Sequence, residues 1–273
     1  MPTRDMDNMF KYEMGEKYTT KINRIKKDAV KFMYAPITKH SNIKTLTIMA
    51  CHATNSIKYN TIINNLRFFV YKTNDIIVIN STNTEYGEKI ALFCKHHNVV
   101  KSYIEIPNNP HLDMGKWAHV LSTNEYTSYN FVILTNDSYF MLDSITPFYN
   151  KIITKNLQLY GYNDSNQIRY HYQSYLFALR KDAIPILISH YNKVKPLLTD
   201  YLSVVSNIEL RLTTLFKYHD CFLKIANYYG HHGKNIFFNN DKLYIILVKL
   251  RLLPFFKLKR NDLPRQLLKN INH

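Results

Sequence analysis

Four short apolar runs, Thr45–Ala50, Ile76–Ile79, Val99–Ile106 and Phe131–Leu134, alternate with stretches of helical spacing, and this alternation restricts the fold more than any other feature of the chain. A strand buried on both faces reads as a continuous apolar run, and parallel strands need crossover helices between them. The first spacer carries Ile62, Ile63, Leu66, Phe69 and Val70 at helical intervals, and Glu88–His97 and Asp113–Leu121 fill the next two. The pattern predicts an α/β fold: a Rossmann-like, mostly parallel sheet with helices on both faces. After Ser138 the rhythm changes. A helix is expected over Ser144–Lys155, strands over Leu157–Tyr162 and Tyr172–Leu179, and helices over Lys181–Tyr191 and Val205–Lys217, giving a helical C-terminal part. A basic helix is expected over Lys17–Phe32 in an N-terminal extension covering residues 1–41, ahead of a single domain over 42–273.

Polar clusters follow the strands: Cys51–Ser56, Asn80–Thr82 and Asn136–Ser138. Open α/β sheets bind ligands beyond the carboxyl ends of their strands, so these clusters are expected along one binding edge. With only six glycines there is no GxGxxG and no phosphate loop, which disfavours a dinucleotide dehydrogenase or an NTPase. The three distant cysteines form neither a disulfide framework nor a zinc pattern, and they point to a reducing compartment. No apolar run approaches the ~20 residues that span a bilayer, and Met1–Lys21 is polar and carries acidic residues. The expectation is a soluble, cytoplasmic protein. Its net charge of +16 is concentrated late: residues 242–273 hold eight Lys and Arg against Asp262 alone, interleaved with Leu252, Leu253, Phe255 and Phe256. That composition suits peripheral contact with an anionic membrane, and equally a terminal element packed on the core with solvated lysines. A basic nucleic-acid-binding protein is the alternative function, but no RNP motif, zinc finger or helix-turn-helix accompanies the charge, so no specific nucleic acid is expected.

Several residues at the strand ends have the chemistry to bind a charged ligand. Asp137, after the fourth strand, could hold a divalent cation, Mn²⁺ or Mg²⁺, bridging two phosphates. Asn136 and Ser138 would add hydrogen bonds, although Asn-Asp-Ser also suits an ordinary turn. His52 and Ala53 lie in the loop expected to face a nucleotide, and Asn80 and Ser81 sit where ribose or base contacts fall; such residues also cap helices. Gly115 would let a phosphate approach the backbone and Lys116 would offset its charge, or the pair simply opens a helix after Asp113. His171 and Gln173 share one face of an extended segment, with a hydrogen-bonding role toward phosphate or sugar hydroxyls or a structural one.

The ordered motifs resemble one family, the rhamnan synthesis protein F type of glycosyltransferases. They are Gly115-Lys116-Trp117, Phe131–Ser138, Tyr160-Gly161-Tyr162-Asn163-Asp164-Ser165, His171-Tyr172-Gln173-Ser174-Tyr175-Leu176, Glu209 and Leu253-Pro254-Phe255-Phe256-Lys257. Two positions depart from the family pattern. Trp117 stands where an aspartate often follows the basic residue, and Tyr139-Phe140 follows Asn-Asp-Ser where the family has glycine. The resemblance implies a GT-A-like fold with a nucleotide-sugar-binding half over 42–140 and an acceptor half over 141–273. It implies glycosyl transfer from a nucleotide-sugar donor to a glycan acceptor in polysaccharide or glycoprotein glycan synthesis, assisted by a metal on Asp137 and His171. The acids at motif positions, Asp164 and Glu209, become the candidates for the catalytic base. A catalytically inactive chain that keeps the fold as an interaction surface is the other reading of the same motifs.

Overall fold

The four apolar runs form four parallel strands in the computed structural model, which describes residues 43–70, 75–82, 85–97, 100–166, 168–224 and 255–257. They are β1 (Thr45–Cys51), β2 (Asp75–Ser81), β3 (Val100–Ile106) and β4 (Phe131–Asn136), joined by α1 (Ser56–Val70), α2 (Gly87–Lys95) and α3 (Leu112–Leu121). Every residue of β1 and of β4 is buried, which explains their unbroken apolar character. Each fully buried Leu or Ile among them contributes about 1.5–3 kcal/mol to folding.

The chain crosses from β1 to β2 and β3 on one side, then returns to pair β4 on the other side of β1. Ile62, Leu66 and Phe69 of α1 and Ile90 and Cys94 of α2 pack in one core layer. Met114, Trp117, Val120 and Leu121 of α3 pack in the opposite layer. The direction of winding therefore reverses between β1 and β4, which makes their carboxyl ends the topological switch point, the crevice position at which open α/β sheets bind ligands.

Beyond β4 come β5 (Tyr139–Met141), α4 (Thr146–Lys155), β6 (Leu159–Ser165), β7 (His171–Tyr172), β8 (Leu176–Arg180), α5 (Ile184–Val194), α6 (Tyr201–Asn207), α7 (Leu212–Leu215), β9 (His219–Leu223) and β10 (Phe255–Lys257). The sheet runs β3-β2-β1-β4-β8-β6-β7, with β9 beside β6. Because β8 is antiparallel to both β4 and β6, β6 points the same way as β4. The carboxyl end of β6 and the segment leading into β8 thus reach the same rim as Asn136–Ser138. Among the described residues no helix is long and apolar enough to cross a membrane, and all three cysteines are buried and unpaired.

Several elements differ from the expected ones. The strand expected over Tyr172–Leu179 is divided into β7 and β8 by a turn at Gln173–Tyr175. The helix expected over Val205–Lys217 does not form as one piece. An Asp200–Ser203 capping box starts α6 early, the helix stops at Ile208, and Glu209 lies in a 3-10 turn before the short α7. Val204, Val205, Ile208, Thr213 and Thr214 are β-branched, with little helix propensity to carry the segment through. The helix expected over Lys17–Phe32 and nearly all of the basic segment 242–273 lie outside the described residues.

The two departures from the family motifs have packing roles. Trp117 is buried, donates from its indole N–H to the Thr135 carbonyl at 3.1 Å and meets Phe177 edge-on, fixing α3 against the sheet. Tyr139 and Phe140 belong to β5, which pairs antiparallel with β10. Phe255 of β10 is enclosed by the rings of Tyr139, Tyr162 and Tyr175, with centroids 4.9, 5.0 and 5.4 Å away. This aromatic cluster holds Lys257 over the strand ends.

Gly161 packs directly beneath the Tyr172 ring, and a methyl group there would approach the ring carbons to 2.5–2.8 Å. Gly161→Ala is expected to lower stability by about 1–3 kcal/mol, the usual cost of overpacking. Urea unfolding checks this; an unchanged midpoint would mean that Tyr172 moves aside freely.

Candidate functional site

At the β1/β4 crevice the backbone N–H of His52 donates to Asp137 Oδ2 at 2.8 Å, joining the ends of the two central strands. Asn55 accepts from the Lys58 N–H at 2.9 Å through its side chain and from the Tyr59 N–H at 3.0 Å through its carbonyl, starting α1 on the rim. This places Lys58 in the first helical turn, with its ammonium 2.7 Å from Asp137 Oδ1 and 3.1 Å from the Asp137 carbonyl. A cation in the first turn opposes the helix dipole, so Lys58 depends on that carboxylate. Asp137 itself is only 8% exposed at its side chain.

Asn136 works on both sides of the strand end. Its amide donates to Asp113 Oδ2 at 2.6 Å, and its carbonyl oxygen accepts from the Ser138 N–H and hydroxyl at 3.0 and 2.6 Å. Asp113 lies in the first turn of α3, next to Leu112, which opens the helix with a left-handed φ of 53°. Burial, with the neighbouring Asp137, raises the Asp113 pKa. Lys116 is one turn along α3 and 2% exposed. Its charge acts on Cys51, His52 and Asp113, which locates it at the crevice. Among the described residues it forms no ion pair or hydrogen bond. Burial and the Lys116 charge lower the His52 pKa, and its buried Nδ1 has no hydrogen-bond partner among the described residues.

A second polar cluster lies along the same rim. The Ser174 hydroxyl donates to Glu209 Oε2 at 2.7 Å, and His171 Nε2 is 3.4 Å from Glu209 Oε1 and 3.1 Å from Gln173 Nε2. His171 Nδ1 meets the Arg169 carbonyl at 2.8 Å. Gln173 also donates its backbone N–H to the Asn163 carbonyl at 3.0 Å. Burial pushes the Glu209 carboxyl up, but bonding to His171 and Ser174 outweighs it and holds the group below the usual carboxylate range. Lys257 links the clusters: it donates to Ser138 Oγ at 2.9 Å, lies 3.6 Å from the centre of the Tyr175 ring, and its charge acts on Glu209.

The structure thus brings His52, Lys116, Asn136, Asp137 and Ser138 to one crevice, and His171, Gln173 and Glu209 to a neighbouring stretch of the rim. Other expected residues have different surroundings. Ala53 is fully buried in the core. The space beside Gly115 is filled by the Asn109 side chain, so this glycine admits a neighbouring residue, where a ligand was expected. Asn80 donates to the Tyr103 hydroxyl at 3.2 Å and Ser81 faces Asn108, both toward β3. Asp164 is 3% exposed within β6, paired with Tyr172 of β7.

The expected metal pair meets a mismatch in its donors. Both Asp137 oxygens already accept protein hydrogen bonds, one of them from an ammonium, while His171 is turned to Glu209, Gln173 and Arg169. Among the described residues no three His, Cys, Asp or Glu side chains are grouped to hold an ion. A resident divalent ion does not fit this donor set. Lys58, Asp113, Ser174 and Lys257 were not among the expected site residues; the one local signal for Lys58 is a cation placed against a helix dipole.

Fold and rim define an α/β sheet with polar residues and two lysines, Lys58 and Lys116, at its switch point. No protein-family model matches the chain. It is 37% identical over 89 residues to the virulence protein VirA of Vibrio anguillarum, a match covering 31% of this chain and 28% of VirA. Among solved structures it is similar to a 4-diphosphocytidyl-2C-methyl-D-erythritol synthase from Anaerococcus prevotii, with 10% identity, a TM-score of 0.47, and coverage of 77% of this chain and 97% of that one. A protein from Bacillus anthracis described as a glucose-1-phosphate thymidylyltransferase is similar with 9% identity, a TM-score of 0.45, and coverage of 65% and 86%.

Folding lowers the Glu209 pKa, so its ionised form stabilises the native state at neutral pH. That contribution fades as pH falls from the unfolded carboxylate value, about 4.3, through the lower folded one. Glu209→Gln is therefore expected to cost about 1–2 kcal/mol at pH 7 and progressively less below about pH 4. Urea midpoints across pH check this; a gap that does not narrow in acid would contradict it.

Proposed function

We propose that the chain is a glycosyltransferase that takes a nucleotide sugar at the β1/β4 crevice and transfers its sugar to a glycan hydroxyl. One observation carries the reading: Lys116 is buried at the switch point of an open α/β sheet, where its charge acts on Cys51 and His52 at the end of β1 and on Asp113. A lysine drawn into a sheet's switch point is costly unless its charge is met, and a phosphate is a ligand that would meet it there. The first backbone N–H groups of α1 add a partial positive charge to the same place.

In this reading Lys116 and Lys58 bind the pyrophosphate and stabilise the negative charge that grows on it as the glycosidic bond to phosphate breaks. Asn136 and Ser138 orient the donor around Asp137, which keeps Lys58 in position. Lys257 extends the positive edge toward the second cluster. Glu209, ionised and partly exposed, accepts the proton of the incoming hydroxyl, and Ser174 and His171 fix its orientation. Asp164, buried in β6, is left outside the transfer step. Gln173 would contact sugar hydroxyls where the β6–β8 edge meets the crevice.

Nucleoside diphosphates and their sugar conjugates are expected to raise the melting temperature of the full chain, equivalent to about 2.7 kcal/mol at a hundredfold excess over Kd. Lys116→Met is expected to weaken binding at least ~10-fold while leaving the unliganded fold intact, since it removes a charged partner of the phosphates. Absence of stabilisation by every nucleotide in a full panel, or tight binding that survives Lys116→Met, would overturn the proposal.

A further inference from the structure

We infer that Lys58 supplies the positive charge that a divalent ion would bring to a strand-end carboxylate, so that the crevice binds a nucleoside diphosphate without metal. This rests on the reading of the crevice as a nucleotide-sugar site. Asp137 stands where such an ion would be held, at the carboxyl end of the strand flanking the switch point. Its Oδ1 is 2.7 Å from the Lys58 ammonium and its Oδ2 is 2.8 Å from the His52 N–H. An ion on Oδ1 would have to displace that ammonium or share an oxygen with it against like-charge repulsion.

Lys58 is also equipped to act outward. An ammonium carries three donor hydrogens, and Asp137 accepts two through Oδ1 and its carbonyl at 2.7 and 3.1 Å. The third remains for a ligand oxygen, and the side chain is 29% exposed, so a phosphate can reach it. Lys58 and Lys116 approach the crevice from α1 and α3, on opposite faces of the sheet. A pyrophosphate between them would meet one ammonium from each face. Asp137 thereby has a positioning role: it anchors a lysine that does the work of a cation.

Calorimetry on the full chain, titrating UDP, GDP, CDP and dTDP in EDTA and again in Mn²⁺ or Mg²⁺, tests this directly. The expected result is binding in EDTA with a Kd within about threefold of the value in metal. Lys58→Met is expected to lose at least ~10-fold affinity in EDTA and to regain part of it with Mn²⁺, because Asp137 Oδ1 is then open to the ion. Lys58→Arg should keep the affinity and the indifference to metal, which separates loss of charge from loss of fold. Binding by the native chain only when metal is present, or undiminished binding by Lys58→Met in EDTA, would overturn the inference while leaving the nucleotide site standing. Failure of every diphosphate to bind under both conditions would overturn both.

Discussion

The contact from the His52 backbone to Asp137, completed by Lys58 on the other carboxylate oxygen, closes the junction between β1 and β4. The order of the other parts follows from it. With β1 central and β4 returning on its far side, α1 and α3 arrive on opposite faces and bring Lys58 and Lys116 to one crevice. Removing Asp137 would leave a cation at a helix amino end with no partner to offset the dipole. The same charge pairing that stabilises the junction also points the lysine at the space a ligand would fill.

The rim is built in two layers of polar contact. Asn136 links Asp113 to Ser138 around the end of β4, and Lys257 carries the chain of contacts from Ser138 toward Glu209. The aromatic cage of Tyr139, Tyr162 and Tyr175 around Phe255 provides the rigidity for that bridge. Aromatic rings contribute large buried area with few torsions to freeze, which suits holding one ammonium in place. Sites built on such fixed elements keep their charges oriented before the ligand arrives, which is the condition for electrostatic stabilisation of a departing phosphate.

The parallel half of the fold was legible because both faces of β1, β2 and β4 are buried, so their apolar runs could be read directly. Asn136–Ser138, His52 and Lys116 were legible because a doubly wound sheet places strand ends and the following helices on one rim. The later half was harder to read. Val205 and Leu212 suggested one helix, but the capping box at Asp200 and the β-branched residues around Ile208 divide it, and Glu209 sits in the break. β5 and β10 are three residues each and pair across more than a hundred positions, so nothing local announces them. For Gly115 the sequence leaves both a ligand approach and a helix start open, because spacing alone does not show that Asn109 folds back against it. Lys58 is not legible in the sequence, because a lysine in a helix reads as solvated until its partner, far along the chain, is known.

The central claim is that Lys58 and Lys116 hold a pyrophosphate between them at the β1/β4 crevice. A crystal structure of the chain with a bound nucleoside diphosphate, grown in EDTA, tests this most directly. The account predicts phosphate oxygens within hydrogen-bonding distance of both ammonium groups, with Lys58 still in contact with Asp137. Diphosphate bound away from the crevice, or bound there with both lysines turned out to solvent, would contradict it.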